Sequence, residues 1–218
     1  MTYQPIALLG GTFDPIHFGH LRMAEELAEA LEIERVHFIP AGRPPHRGRP
    51  RAEARHRLEM ARLAIAGNPR FVLDEREFHR NAPSYSVDTL TDLRAELPPG
   101  TPLVLFMGAD AFLGLTTWHE WRRLFELAHV AVAHRPGFSA AAWEDALPDP
   151  LRQLLSTQRV EQPGEILQKP VGRIFLHGIT QLDISASRIR DHALRGKSLR
   201  YLLPDAVIDY LNENRLYV

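Results

Sequence analysis

The chain is 218 residues long and nearly charge-balanced, with 26 Lys and Arg against 27 Asp and Glu. That length accommodates one α/β domain with a sizeable core, and a net charge of −1 excludes a general pull toward nucleic acid or an anionic membrane. With no cysteine there is no disulfide, thiolate chemistry or cysteine-based metal site, and no apolar run of about 18 residues exists to span a membrane. The N-terminus has no basic start followed by a long apolar run, so no signal peptide is expected, and the lack of cysteine fits a reducing cytoplasm.

The first predicted strand, Ile6–Leu9, runs into Gly10-Gly11-Thr12-Phe13-Asp14-Pro15-Ile16-His17-Phe18-Gly19-His20. The pattern Leu21, Ala24, Leu27, Ala28, Leu31 then marks a helix over 19–32. Both histidines therefore sit at a strand-to-helix junction, where unpaired backbone N–H groups and the positive end of a helix dipole favour an anion. Small residues there let the backbone approach a ligand closely. His17 and His20, three apart, share one side of the first helical turn. The segment reads as a phosphate-binding turn with two imidazole donors. A plain turn and a His–His metal pair are the competing readings. Without cysteine or an adjacent glutamate, the metal pair is the weaker.

Next comes a predicted strand at Val36–Ile39. The stretch Ala41 to Arg51 is rich in Pro, Gly and Arg, contains His46, and is expected to be a mobile loop. A helix over 53–66 and a strand at Phe71–Leu73 follow. Ser84 and Ser86 are candidate caps of a helix over 86–96. The buried-looking run Leu103–Met107 is followed by Gly108-Ala109-Asp110. There the carboxylate either satisfies helix-start N–H groups or accepts two bonds from a ribose diol. In Thr116-Thr117-Trp118-His119-Glu120-Trp121, Trp118 either offers its face to an aromatic ring or packs in the core, whereas Trp121 is assigned to the core. A helix is expected over 119–128 and a strand at Val130–Ala133, with Arg135 just beyond it. Residues 136–170 can form an insertion or subdomain, with short helices at Ala140–Ala146 and Leu151–Thr157.

Arg173–Leu176 is the last predicted strand. Ser185 is placed to cap a helix over 186–195, Ser187 adds a second hydroxyl at that end, and Arg190 can hold a phosphate bidentately. Ordinary capping alone competes with a phosphate site there. Arg188 reads as a solvated or accessory charge. Gly196-Lys197-Ser198 looks like the end of a P-loop, but Asp191 stands where glycine is required and a helical pattern precedes it, so that reading fails. Pro204 starts the final helix, 205–213, with an apolar face at 207, 208 and 211.

Alternating β and α elements, with strands lacking in/out alternation, predict a doubly wound Rossmann-like parallel α/β sheet with helices on both faces. Residues 1–218 are expected to form a single domain with a small C-terminal helical part. Gly10, Pro40, Gly108 and His134 each follow a predicted strand and should lie along one edge of the sheet, where such folds bind ligands.

At GGTFDPIHFGH the chain resembles the GxFxPxHxGH signature of the nucleotidylyltransferase superfamily, and Ile184-Ser185-Ala186-Ser187-Arg188-Ile189-Arg190 resembles its ISxTxIR signature, with Ser187 at the Thr position. Pro83-Ser84-Tyr85-Ser86-Val87-Asp88-Thr89, the Trp118 segment, Pro44-Pro45-His46 and the closing Tyr201 to Tyr217 stretch are similar to bacterial nicotinate mononucleotide adenylyltransferases; Ser86 stands where Thr is common. The resemblance implies that ATP and nicotinate mononucleotide give deamido-NAD and pyrophosphate. It further implies catalytic roles for His20 on the α-phosphate and His17 on the triphosphate. Backbone at Gly10, Gly11, Thr12 and Phe13 would approach the reacting phosphates. Ser185, Ser187, Arg190 and, less centrally, Arg135 would take the β,γ-phosphates. Gly108 and Asp110 would hold the adenosine ribose. Trp118 would stack on the pyridine, with Ser86, His119 and His46 on the acceptor side. Mg²⁺ is expected on the ATP phosphates, with few or no direct protein ligands. Neither nucleic acid nor membrane is an expected partner, and oligomeric state is left open. Nicotinamide mononucleotide or phosphopantetheine as acceptor, cytidylyl transfer, and a non-catalytic nucleotide sensor are the alternatives.

Overall fold

A computed structural model describes residues 3–45, 48–134, 146–180 and 182–218. Its strands are β1 (Ile6–Gly11), β2 (Arg35–Pro40), β3 (Phe71–Leu73), β4 (Leu103–Gly108), β5 (His129–His134), β6 (Arg159–Val160) and β7 (Ile174–Gly178). They form one sheet in the order β3-β2-β1-β4-β5-β7-β6. The pairs β1/β4, β4/β5, β5/β7 and β6/β7 are parallel. The first five residues of both β4 and β5 are buried, as strands covered on both faces must be. The fold is the expected doubly wound, Rossmann-like α/β sheet, and its strand order reverses at β1 and β4.

Helices are α1 (Phe18–Ala30), α2 (Ala54–Ile65), α3 (Arg76–His79), α4 (Ser86–Glu96), α5 (Ala109–Leu113), α6 (Leu124–Leu127), α7 (Asp149–Gln158), α8 (Ala186–Leu194) and α9 (Asp205–Glu213). The chain divides into two compact units. One comprises Met1–Leu9, Met23–Val36 and Tyr85–Gln181; the other comprises Gly10–Arg22, His37–Ser84 and Leu182–Val218.

In the first unit, Gly108 pairs in register with Ala133 and His134 with Gly178, so these strand ends share one edge. Arg94 of α4 donates to the Leu127 carbonyl at 2.7 Å and the Thr101 carbonyl at 2.6 Å, tying α4 to the end of α6 and the entry to β4. His129 is fully buried, and its Nδ1 accepts the Arg173 N–H at 3.2 Å. Burial, with the positive charges of Arg94 and Arg173, lowers its pKa to about 4.

The second unit is built around a buried cation. Arg57 of α2 donates to the carbonyls of Thr12 (2.8 Å), Ala41 (2.6 Å), Gly42 (3.2 Å) and Ala52 (3.3 Å). It thereby joins the loop after β1 to both ends of the loop after β2. Gly42 is required by close approach: a Cβ there would stand 2.2 Å from the Glu77 carbonyl oxygen of α3.

Three expectations need correction. The helix expected over 119–128 is a 3₁₀ turn at Trp121–Arg123 followed by α6, because Glu120 takes a left-handed φ of 46° that a continuous helix cannot contain. Trp121 is not a core residue. It is partly exposed, with the Arg122 guanidinium 4.5 Å from its ring centroid and Phe125 of α6 edge-on, so its large ring is flanked by near neighbours in the chain. Ser84 and Ser86 do not cap α4, whose N-cap is Tyr85 without a side-chain bond; the Ser84 hydroxyl instead accepts the Arg43 N–H at 3.1 Å. Residues 140–145 of the expected Ala140–Ala146 helix lie outside the described residues.

Candidate active site

The turn between β1 and α1 belongs to the second unit. Phe13 adopts φ 47°, with its ring edge-on to His20 and tilted against Phe38. A Cβ at Gly10 would meet nothing within 4 Å, so the backbone there borders open space. His17 is buried and immediately precedes α1. The rings of His17 and His20 lie on one side, as their three-residue spacing predicts, and there they stack with centroids 3.7 Å apart and 27° between planes. The His17 backbone N–H donates to His20 Nδ1 at 3.2 Å. With Nδ1 an acceptor, neutral His20 carries its proton on Nε2, a donor suited to a phosphate oxygen. Burial lowers the His17 pKa to about 4 and leaves its Nδ1 without a hydrogen-bond partner. A Cβ on Gly19 would stand 3.0 Å from that Nδ1, so any larger residue there would press the imidazole aside by a few tenths of an ångström.

A second helix start meets this turn. That same Cβ would lie 3.6 Å from the Ile184 carbonyl oxygen, one residue before the N-cap of α8. Ser185 is that cap, its hydroxyl accepting the Arg188 N–H at 3.3 Å and lying 3.2 Å from the Ser187 hydroxyl. Both hydroxyls are on exposed residues. Two adjacent helix N-termini provide backbone donors and dipole fields of one sign, an arrangement suited to a polyanion. Arg190 donates from Nη1 to the Asp14 carbonyl at 2.6 Å, which sets the plane of its guanidinium. Arg188 pairs at 3.5 Å with Asp183 on the surface, an accessory charge as its place in the sequence suggests.

Asp14 escapes the sequence reading although it stands inside the motif. Its carboxylate is buried and accepts the N–H groups of Arg51 (2.9 Å) and Ala52 (3.1 Å) and the Tyr217 hydroxyl (2.6 Å). Desolvation, then the bond and charge of Asp14, push the Tyr217 phenol up, so it remains a donor. Gly19 and Asp14 could have been found from their place in the motif. Arg57 and Tyr217 carry no local signal.

The first unit carries the remaining candidates. Gly108 ends β4 and N-caps α5; Asp110 is exposed in the first turn of α5. Trp118 follows the 3₁₀ turn Leu115–Thr117 and is partly exposed. His119 is exposed, with its ring 4.4 Å from that of Tyr85. Ser86 is the first residue of α4. His46 and Arg135 lie outside the described residues. Among the described residues, no group of three or more His, Cys, Asp or Glu is placed to hold a metal ion, and no helix is long and apolar enough to cross a membrane.

Comparisons place this chain among known proteins. Residues 8–192 match the cytidylyltransferase-like family. A probable nicotinate-nucleotide adenylyltransferase of Dechloromonas aromatica (strain RCB) is 51% identical over 214 residues, covering 98% of both chains. One from Acidithiobacillus ferrooxidans is 48% identical over 216 residues, covering 99% of this chain and 97% of that one. In fold, the chain resembles Plasmodium falciparum nicotinic acid mononucleotide adenylyltransferase complexed with NaAD. The TM-score is 0.74 at 18% identity, over 99% of this chain and 98% of that one. The stacked histidine pair after β1 and the serine-capped arginine helix thus occur in a chain that belongs to the cytidylyltransferase-like family, within its nicotinate-nucleotide adenylyltransferases.

Proposed function

We propose that the chain transfers the adenylyl group of ATP to nicotinate mononucleotide, releasing pyrophosphate and forming deamido-NAD. The observation that carries the mechanism is the His20 imidazole, stacked on His17 and held by the His17 N–H with its proton on Nε2. A phosphate oxygen of the mononucleotide attacks the α-phosphorus while the bond from that phosphorus to the bridging oxygen breaks. The attacking oxygen is already anionic, so no protein nucleophile or base is required. The protein's part is alignment of two polyanions and stabilisation of charge.

In this reading His20 donates to the α-phosphate as charge builds, and His17 lies against the triphosphate. The backbone at Gly10, Gly11, Thr12 and Phe13 borders the reacting groups. Ser185, Ser187 and Arg190 receive the β- and γ-phosphates, with Arg135 as a further cation. Gly108 leaves room for the ribose that Asp110 accepts, Trp118 stacks on the pyridine ring, and Ser86, His119 and His46 serve the acceptor. Mg²⁺ enters as part of the ATP substrate. Because the family match runs from residue 8 to 192, through both compact units, we read them as parts of one nucleotidylyltransferase domain. A cysteine-free chain suits the reducing cytoplasm, where we place the reaction.

The test is pyrophosphate release from ATP with a panel of acceptors: nicotinate mononucleotide, nicotinamide mononucleotide and phosphopantetheine. Turnover fastest with nicotinate mononucleotide is expected. Faster turnover with another acceptor moves the chain to that substrate, and no release with any acceptor overturns the catalytic reading.

A further inference from the structure

We propose that Tyr217 is a positioning residue of the phosphate site, acting through Asp14 on Arg190. The inference rests on the adenylyltransferase reading above. Arg215 and Tyr217 both adopt left-handed backbone, with φ of 50° and 64°, which non-glycine residues rarely do. Val218 is exposed, yet the Tyr217 hydroxyl reaches the buried Asp14 carboxylate at 2.6 Å. The left-handed turn carries the Tyr217 ring back to the turn after β1, where its hydroxyl meets Asp14.

The peptide from Thr12 to Asp14 is gripped from two sides. Arg57 of α2 holds the Thr12 carbonyl at 2.8 Å, and Arg190 of α8 holds the Asp14 carbonyl at 2.6 Å. Both guanidiniums lie near the Asp14 carboxylate, and Arg190 Nη1 is already 3.8 Å from Oδ2. Oδ1 is satisfied by the Ala52 N–H and the Tyr217 hydroxyl, Oδ2 by the Arg51 N–H. A neutral phenol completes this carboxylate without adding charge. Removing the hydroxyl leaves a buried carboxylate oxygen short of a donor. Arg190 is the ligand-site cation close enough to make up the loss, and turning toward the carboxylate takes its donors away from the phosphates. Tyr217 therefore keeps Arg190 on the Asp14 backbone oxygen and available to ATP.

The experiment compares wild type with Tyr217→Phe, Arg190→Lys and the double variant. In Tyr217→Phe, kcat/KM for ATP should fall about tenfold, the loss of one buried donor to a charged group, while KM for nicotinate mononucleotide stays within about twofold. In the Arg190→Lys background the same change should cost less than about twofold, because the effect passes through Arg190. Deletion of residues 217–218 serves as a second variant and should show the same split between the two substrates. Calorimetric titration with a non-hydrolysable ATP analogue reads the affinity loss without turnover, so failure of the nicotinate reading would leave this test intact. A Tyr217→Phe enzyme with lowered Tm but unchanged ATP affinity would overturn the proposal, as would equal losses in both backgrounds.

Discussion

In the role proposed for it, His20 donates to a phosphate only with its proton on Nε2, and the bond from the His17 N–H to Nδ1 favours that tautomer. His20→Ala should lower kcat by about 10²–10³ with little change in Tm, the penalty for losing one preorganised donor to developing charge. Steady-state kinetics on the folded variant decide it, and near-normal kcat would remove His20 from the chemistry. His17→Ala should place more of its loss in KM for ATP. The glycine between them is set by contact: a Cβ at position 19 stands 3.0 Å from His17 Nδ1. Gly19→Ala should cost about 1–3 kcal/mol of stability and weaken ATP binding, as overpacking beside a buried ring does. Urea unfolding and ATP titration on one preparation check both effects, and wild-type values in both would mean that the imidazole yields without cost.

At the level of elements, the loop after β2 is secured at both ends by polar bonds where apolar residues are scarce. Ala41 donates to the Gly11 carbonyl at 2.9 Å, Arg57 takes the carbonyls of Ala41, Gly42 and Ala52, and Asp14 takes the N–H groups of Arg51 and Ala52. Arg57→Met keeps most of the volume and removes the donors. It should destabilise the protein by about 3–5 kcal/mol, because buried carbonyls of three segments lose one shared partner. An unchanged denaturant midpoint would show that water or neighbouring N–H groups replace it. Between these tethers, the amides of Gly48 and Arg49 should exchange with solvent more slowly once ATP and the acceptor are bound. Identical exchange with and without ligands would argue that substrate does not order the segment.

Across the whole molecule, two buried histidines set the acid limit. His17 and His129 are both lowered by burial to about 4, against 6.5 for the unfolded side chain. Between these values the unfolded state binds more protons, so stability rises with pH there. Their contribution is complete above about pH 6.5, declines as the pH falls toward 4, and has gone below it. His129→Gln should flatten part of that slope in unfolding curves collected from pH 7 to 4; a slope equal to wild type would assign the acid sensitivity elsewhere. Substrate choice is also a property of the whole chain. In the proposed function, main-chain N–H groups near Trp118 would take the pyridine carboxylate, and such donors would face the amide's NH₂ donor to donor. The kcat/KM ratio for nicotinate over nicotinamide mononucleotide should therefore lie between about tenfold and several hundredfold. A ratio near one would refute the acid preference and leave adenylyl transfer standing.

The sequence alone determined the features that depend on near neighbours. Hydrophobic periodicity and turn chemistry located the strand Phe71–Leu73 and the helices at about 86–96 and 205–213, and the spacing of His17 and His20 put both on one side of a helical turn. Ser185 was recognisable as a cap because its hydroxyl acts on an N–H only three residues away. The break at Glu120 and the two-residue strand β6 depend on the pairing and packing of other segments, so local pattern could not reveal them. The same holds for Asp14: Arg190 and Tyr217, which complete its surroundings, lie 176 and 203 residues further along the chain. Only folding brings those groups within hydrogen-bond reach. Only the desolvation that comes with burial turns His17, an ordinary imidazole in the sequence, into one whose pKa falls to about 4 beside the proposed phosphate site.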